Sequence, residues 1–506
     1  MSEGNYVLRV MTRLISTRLV YRVLAAISVI IISNYLIADP KLADSFDLAT
    51  SIASIIMIAS EVGMSMVLMR AHAKHTAADM ERYYGTALTI ETIAWAVIFV
   101  GLVGGYALFN GFNTMFWLLA IMALNQAAIQ YRVPIRSIYR SSRSGERISY
   151  LEIVDGLSKV LGIAAITYLV DTVSTGAYWI AAWYTGTTIF FILIYLLYSF
   201  KLVKPAFDRG LIRLLLSQGV WFCAQALITT VYFELGKWIL RFYQISGWAN
   251  IADGDIARYG ASSRIVVFFL VFHRIGLQVI TPYLYKTYPE QLERYRHIVQ
   301  WSTRYMTAGG IIVGVLIFAQ ADLIMHLLYK PAFWNAVPAL QLFATFFIVH
   351  FIGVTSSQIF ATTDNQPLRT KQEALAVIGN VILAVLLIPK FGFLGAALAA
   401  LVVEVISQAI FYVISRRIIH APILKTLGHI VPAVLAGGVI AGSLLVAKPF
   451  WTIYTGSKVE IVVTGAVVSL VSLVAYAGLL YLFRFFKRED FQLLKSAPAP
   501  ADIQAD

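Results

Sequence analysis

Glu234, Lys237 and Arg241 recur at i, i+3 and i+7, so a helix through this segment carries all three on one face. Arg264 and Arg274 stand ten residues apart, roughly 15 Å along a helix but only about 80° around it. Both groups lie in apolar stretches, where an ionised side chain costs ~2.5–3.5 kcal/mol and needs a partner or a wet cavity. Four cations against one anion leave positive charge that cannot all be paired locally. Guanidinium groups bind phosphate oxygens bidentately and lysine adds a point charge, so the chemistry that suits this set is recognition of an anionic headgroup.

Other ionisable side chains sit in apolar runs as well. Glu61 and Arg70 occupy the second run, and Arg18 and Arg22 lie one turn apart at the start of the first. There they either snorkel to the interface or line the inner mouth of a cavity. Asp155 and Lys159, at i and i+4, are expected to neutralise each other. Glu91 can hydrogen-bond a neighbouring helix, and Glu404 has Gln408 on its own face. Glu234 and Glu404 are the choices for a coupling proton or Na⁺. The histidines at 72, 75, 273, 297, 326, 350, 420 and 429 are scattered, and their spacing suggests structural roles.

The elements that must position these groups follow from composition. Of the 506 residues 59% are hydrophobic and 13% charged, about half the roughly 25% charged of a soluble globular chain. That much apolar surface has no place in water, and the reading is an all-α polytopic membrane protein. A ruler of about 20 apolar residues per span finds fourteen candidates, near 18–38, 47–69, 86–109, 114–133, 149–170, 176–200, 215–240, 257–285, 304–328, 337–361, 373–389, 393–415, 427–447 and 459–483.

The net charge of +13 could mean nucleic acid, but the basic residues fall in short runs between spans. Placing both termini in the cytoplasm puts most of them inside, and leaves outside little beyond Lys41, Lys237, Arg241, Arg258, Lys330, Lys390, Lys448 and Lys458. The N-terminal apolar run is too long for a signal-peptide core and is read as an uncleaved first span. A lone Cys223 rules out an intramolecular disulfide and a cysteine-based metal cluster. The segments between spans are too short to hold a catalytic domain, and no nucleophile constellation, metal-ligand spacing or phosphate-binding Gly-rich loop is present, so the chain is not read as an enzyme.

Span 2 ends EVGMSMVLMRAHAKH (Glu61–His75) and span 8 ends RIGLQVITPYLYKTY (Arg274–Tyr288). Each has a charge two positions before a glycine, then an apolar run and a basic exit. Span 2 against span 8 is the match expected of two six-span halves sharing one orientation, with Glu61 and Arg274 equivalent across a cleft.

The chain resembles the multidrug/oligosaccharidyl-lipid/polysaccharide (MOP) flippase superfamily, most closely its Wzx-like polysaccharide-exporter branch. The most specific stretch runs from Asn380 through Pro389, Gly392 and Gly395-Ala396-Ala397 to Glu404 and Val405. Leu327–Ala344, Ala257–Ile265 and Glu61–Arg70 support it. The resemblance implies an N-lobe over 1–213, a C-lobe over 214–420, two extra helices over 421–485 and a tail over 486–506 read as disordered, with a central cavity between the lobes. It implies a flippase that moves an undecaprenyl-pyrophosphate-linked oligosaccharide to the outer leaflet of the bacterial cytoplasmic membrane by alternating access, for exopolysaccharide, capsule or O-antigen assembly. The expected partners are membrane lipids, a polysaccharide polymerase and export machinery, and no nucleic acid. No cofactor is implied beyond H⁺ or Na⁺ coupling or the membrane potential. Arg22, Glu61, Arg70, Lys237, Arg241, Arg264 and Arg274 are the expected substrate contacts. A cation-coupled multidrug exporter and a peptidoglycan lipid-precursor flippase are the alternatives.

Overall fold

The computed structural model describes residues 3–72, 77–140, 145–202, 204–363, 365–421, 428, 430–450 and 457–486, and all its regular structure there is helical. Eleven helical segments are long and apolar enough to cross a membrane, and the apolar helix Val431–Ala447 is shorter. The protein is an all-α polytopic membrane protein. Each of the fourteen stretches picked from hydropathy coincides with a helix or a broken pair of helices.

Two compact units divide the described chain. Unit 1 is Met1–Phe242 with Ile251–Ala257, and unit 2 is Tyr243–Asn250 with Arg258–Asp506. In unit 1 the helices are α1 (Glu3–Leu36), α2 (Pro40–Glu61), α3 (Met64–His72), α4 (Ala77–Phe99), α5 (Gly105–Asn110), α6 (Thr114–Arg140), α7 (Gly145–Leu169), α8 (Val173–Leu202) and most of α9 (Leu211–Ser246). A π-helical turn, Val100–Gly104, joins α4 to α5. Helix α2 packs on α4 and α6, α1 on α7, and α6 on α8.

Up to Phe242, helix α9 lies in unit 1. There it touches α2 and the break that follows it at a few points. Trp238 Nε1 donates to Ser51 Oγ at 2.9 Å, Cys223 Sγ approaches the Ile58 carbonyl at 3.6 Å, and Gly219 lies against the Val62 carbonyl. The α8–α9 connection is held on α4 in the same unit, with Asp208 N donating to Thr86 Oγ1 at 2.9 Å and Ala206 N to the Glu81 carbonyl at 3.0 Å.

The second span is broken where its sequence turns polar. Val62 (φ 49°) and Gly63 (φ 72°) are left-handed, which separates α2 from α3. Glycine is at home there, and a β-branched valine is not. The eighth span is also broken, at Leu270 between α10 (Asp255–Phe269) and α11 (Val271–Thr287), but in right-handed backbone. Both members of the sequence repeat are therefore interrupted spans, with different local geometry at the break.

Unit 2 continues with α12 (Leu292–Ala319), α13 (Ala321–Leu328), α14 (Val337–Thr362), α15 (Gln366–Phe391), α16 (Phe393–Ile418), α17 (Val431–Ala447) and α18 (Lys458–Leu482). Helices α12, α14 and α16 pack in succession, with α15 on α16 and α17 on α12. In lipid, close packing rather than water exclusion holds helices together, and small residues allow it. Gly310 and Gly314 of α12 take the side chains of Phe351 and Ile348, and Gly437 of α17 takes Ile311. The 380–405 stretch forms the tight hairpin its glycines suggest. Gly392 (φ 56°) turns the chain, and Gly395 sits so close to the Leu387 carbonyl that a Cβ would lie 2.4 Å from it. Lys448 Nζ binds the buried Asp322 carboxylate at 2.9 Å, which ties the end of α17 to α13.

Candidate functional site

In unit 1 the face of α9 forms as its spacing requires, but part of its charge is spent internally. Lys237 is 6% exposed, and its Nζ lies 2.8 Å from Glu234 Oε2. This pairing uses the one anion of the set, so the surplus rests on the arginines, and a lysine neutralised by its own helix is a weaker attraction for a headgroup. Arg241 on the same helix and Arg22 on α1 are half-buried, and neither is without a partner.

Glu61 closes α2 at the left-handed break and accepts a hydrogen bond from Ser65 on α3. Nearby on α2, Ser60 donates to Gln130 of α6, and Gln130 in turn reaches the Glu91 backbone carbonyl on α4 at 3.4 Å. Glu91 is fully buried, and neither of its carboxylate oxygens has a hydrogen-bond partner. Uncompensated charge is costly in such a place. Asp155 and Lys159 on α7 make the predicted pair, 3.0 Å apart and buried at 0% and 3% exposure. The Lys159 ammonium also lies 4.6 Å from the Tyr184 ring centroid on α8.

In unit 2 Arg264 on α10 is half-buried and is not without a partner. The side chains of Arg70 and Arg274, and the tail at 487–506, lie outside the described residues, and with Arg274 goes its expected pairing with Glu61. The expected group at 234–274 is distributed over both units, with Glu234, Lys237 and Arg241 in unit 1 and Arg264 in unit 2.

What sequence reasoning missed is a polar cluster in unit 2. Glu404 on α16 is 4% exposed and accepts two hydrogen bonds at Oε1, one from Gln408 Nε2 at 2.7 Å and one from His350 Nδ1 of α14 at 2.7 Å. His273 of α11 sets its ring edge-on to His350, with centroids 4.9 Å apart. Phe346 lies parallel to the His350 ring, 6.1 Å away and tilted by 9°. The Gln408 side chain fits because position 353 is glycine; a Cβ there would stand 1.9 Å from Gln408 Oε1. Of these contacts, spacing reveals only Glu404 with Gln408. Among the described residues no group of three or more His, Cys, Asp or Glu side chains is arranged to hold a metal ion.

Comparison with sequence families and with curated proteins finds no match. Solved structures do match, and the likeness is to the fold of several membrane transporters. A structure of the lipid II flippase MurJ in an inward closed conformation superposes with a TM-score of 0.69 at 12% identity, covering 94% of this chain and 99% of the other. An inward-facing multidrug-resistance MATE transporter of the MOP superfamily gives 0.63 at 14% identity, covering 81% and 96%. A MOP-superfamily transporter from Pyrococcus furiosus, described as having a binding pocket of reversed polarity, gives 0.58 at 13% identity, covering 81% and 95%. At these identities the likeness is one of fold.

Proposed function

We propose that the chain is a flippase that carries an undecaprenyl-pyrophosphate-linked oligosaccharide from the cytoplasmic to the outer leaflet by alternating access. The observation that supports it most is the near end-to-end correspondence with a lipid-linked-precursor flippase, 94% of this chain against 99% of that one. The MATE structure spans less of the chain, 81%. The difference is about the length of the segment that holds α17 and α18. The excess of basic residues, 40 Lys+Arg against 27 Asp+Glu, suits an anionic cargo. Arg22, Arg70, Arg241, Arg264 and Arg274 are the proposed phosphate contacts, with Glu61 as a competing anion and Lys237 a lesser contributor. A pyrophosphate moving outward from an inside-negative cytoplasm gains ~2.3 kcal/mol per charge per 100 mV, so the potential itself can drive export.

In this reading the protein resides in the bacterial cytoplasmic membrane with both termini inside, beside a polysaccharide polymerase and export machinery. Deletion should abolish surface polysaccharide and trap the lipid-linked intermediate on the cytoplasmic face. Complementation with wild type should reverse both, and complementation with Arg264→Ala or Arg274→Ala should not. Full surface polysaccharide from both variants would defeat the assignment of these arginines.

The name of the MurJ structure favours a second cargo of the same chemistry, a peptidoglycan lipid precursor. Depletion would then accumulate that precursor and lyse the cells, with no selective loss of surface polysaccharide. The MATE likenesses favour a cation-coupled multidrug exporter, which would show itself as altered minimum inhibitory concentrations for cationic dyes.

A further inference from the structure

We propose that Arg416, in the last turn of α16, forms a binding site for a phosphate oxyanion at one end of unit 2, supplied by a phospholipid headgroup or by free phosphate. The inference rests on the packing of unit 2 and holds whatever cargo the carrier moves.

Arg416 is 1% exposed, and its Nε, Nη1 and Nη2 have no hydrogen-bond partner among the described residues. A buried lysine can shed its proton, but a guanidinium stays charged in proteins. An unmatched charge in such a place is far costlier than a paired one. Two features of the chain offset part of that cost. The guanidinium carbon lies over the ring of Tyr412, one turn earlier, 4.9 Å from its centroid, which covers one face of the fork. The carbonyl end of α16 also favours a cation in its last turn.

The acceptors at that end are already taken. His420, in left-handed backbone (φ 50°), donates its N–H to the Arg417 carbonyl at 3.2 Å, and Ala421 N donates to the Arg416 carbonyl at 2.9 Å. This is the pattern of a Schellman cap. Arg296 of α12 donates from Nε to the Ile419 carbonyl at 2.7 Å. Neither the ring nor the cap fills the positions in the guanidinium plane, where its five N–H groups point. Those positions suit the oxygens of an oxyanion, two at a time.

The neighbours supply no anion of their own. Tyr412 and Tyr295 are the titratable groups near enough to interact with Arg416, and both are phenols. Tyr295 shares a hydrogen bond with Thr362 Oγ1 of α14 at 2.6 Å and belongs to an apolar cluster with Leu284, Ile359 and Ile419. Glu293, at the start of α12, is bonded to Arg296 instead. The place favours phosphate. Helix α16 has 26 residues, about 39 Å, against a hydrocarbon core of about 30 Å, so its last turn stands at headgroup level. The exposed Arg417 and half-buried Arg296 beside it draw anions to this end. An oxyanion held there balances the charge where α12, α14 and α16 converge, and so stabilises unit 2.

The test uses full-length protein stripped of lipid in dodecyl maltoside, a detergent without phosphate. In the first arm inorganic phosphate is titrated against sodium chloride of equal ionic strength, and the thermal midpoint is followed. In the second arm phosphatidylglycerol is added without free phosphate, and retained lipid is counted by native mass spectrometry beside the midpoint. Wild type should respond in at least one arm. A response to free phosphate alone identifies an aqueous ligand, and one to the lipid alone a headgroup. Arg416→Met should weaken the response about 10- to 100-fold in concentration, the worth of a hydrogen bond to a charged group. Lys390→Gln, which removes an exposed cation at the end of α15, should leave it unchanged. No response beyond that to sodium chloride in either arm overturns the proposal, and so does a response that Arg416→Met keeps at wild-type strength. Should Arg416→Met lose its fold, Arg416→Lys keeps the charge without the fork and should weaken the response about tenfold. Wild-type strength in that variant overturns the proposal as well.

Discussion

Gly63 and Gly219 meet backbone to backbone inside unit 1. A Cβ on Gly63 would stand 2.3 Å from the Gly219 carbonyl oxygen, and one on Gly219 would stand 2.2 Å from the Val62 carbonyl. This contact seats α9 against the broken second span, and Gly63 is already committed to a positive φ. Gly219→Ala should therefore push the helices apart and cost about 1–3 kcal/mol, the usual range for overpacking. The check is the thermal midpoint in detergent, set beside Gly186→Ala, whose new methyl would meet nothing within 4 Å. Equal midpoints for the two variants would mean that the contact does not hold the helices.

A second prediction concerns Asp44. This carboxylate on α2 is fully buried and accepts from the backbone N–H of Gly254 and of Ala257, each at 2.9 Å. It thus satisfies donors at the start of α10 that the helix itself cannot. Asp44→Ala should leave both buried donors open, at roughly 1–3 kcal/mol each. Asp44→Asn keeps one acceptor oxygen and should lose about half as much. Amide hydrogen exchange at Gly254 and Ala257 reads the effect directly. Exchange as slow in Asp44→Ala as in wild type would show that α10 is capped by other means.

The spans were legible because hydropathy acts along the chain, one helix at a time. The same holds for pairs within a turn, so Asp155 with Lys159, Glu234 with Lys237 and Glu404 with Gln408 could be read from spacing alone. The break at Val62 was not legible, because a valine advertises helix or strand and its left-handed backbone is imposed by neighbours. Nor was the contact of His350 with Glu404, which belong to different helices 54 residues apart. Nothing in a single sequence marks that distance as short. The contacts of α9 within unit 1 were hidden for the same reason, since Gly219 finds its partners at the Val62–Gly63 break and Trp238 on α2.

Lys237 offers a third prediction. Its ammonium is bonded to Glu234, so Lys237→Gln should take the ion-pair partner from a carboxylate as well as remove a cation. If an anionic cargo passes nearby, transport should fall more in Lys237→Gln than in the Glu234→Gln/Lys237→Gln double variant. The expected coupling in a double-mutant cycle is about 0.5–3 kcal/mol. The same cycle is to be run on translocation of undecaprenyl pyrophosphate in proteoliposomes and on thermal stability. Strict additivity in both measurements would remove the pair from the transport route.

Asp155 and Lys159 make the contrasting case, an ion pair buried more deeply and spent on structure. Both side chains are nearly inaccessible, 0% and 3%, at a separation of 3.0 Å, and Trp183 of α8 donates to the backbone of the same turn, from Nε1 to the Ser158 carbonyl at 3.1 Å. Removing one partner strands a charge in a low-dielectric interior, so Lys159→Met alone should destabilise by about 3–5 kcal/mol. The Asp155→Leu/Lys159→Met double variant removes both charges of the pair and should recover most of that loss, since apolar replacement of a whole buried pair is often neutral. Translocation per folded molecule in the double variant should match wild type, measured with the same probe used for Lys237. A stable double variant that no longer translocates would move this pair from scaffold to transport machinery, and with it the face of α7 that meets α8.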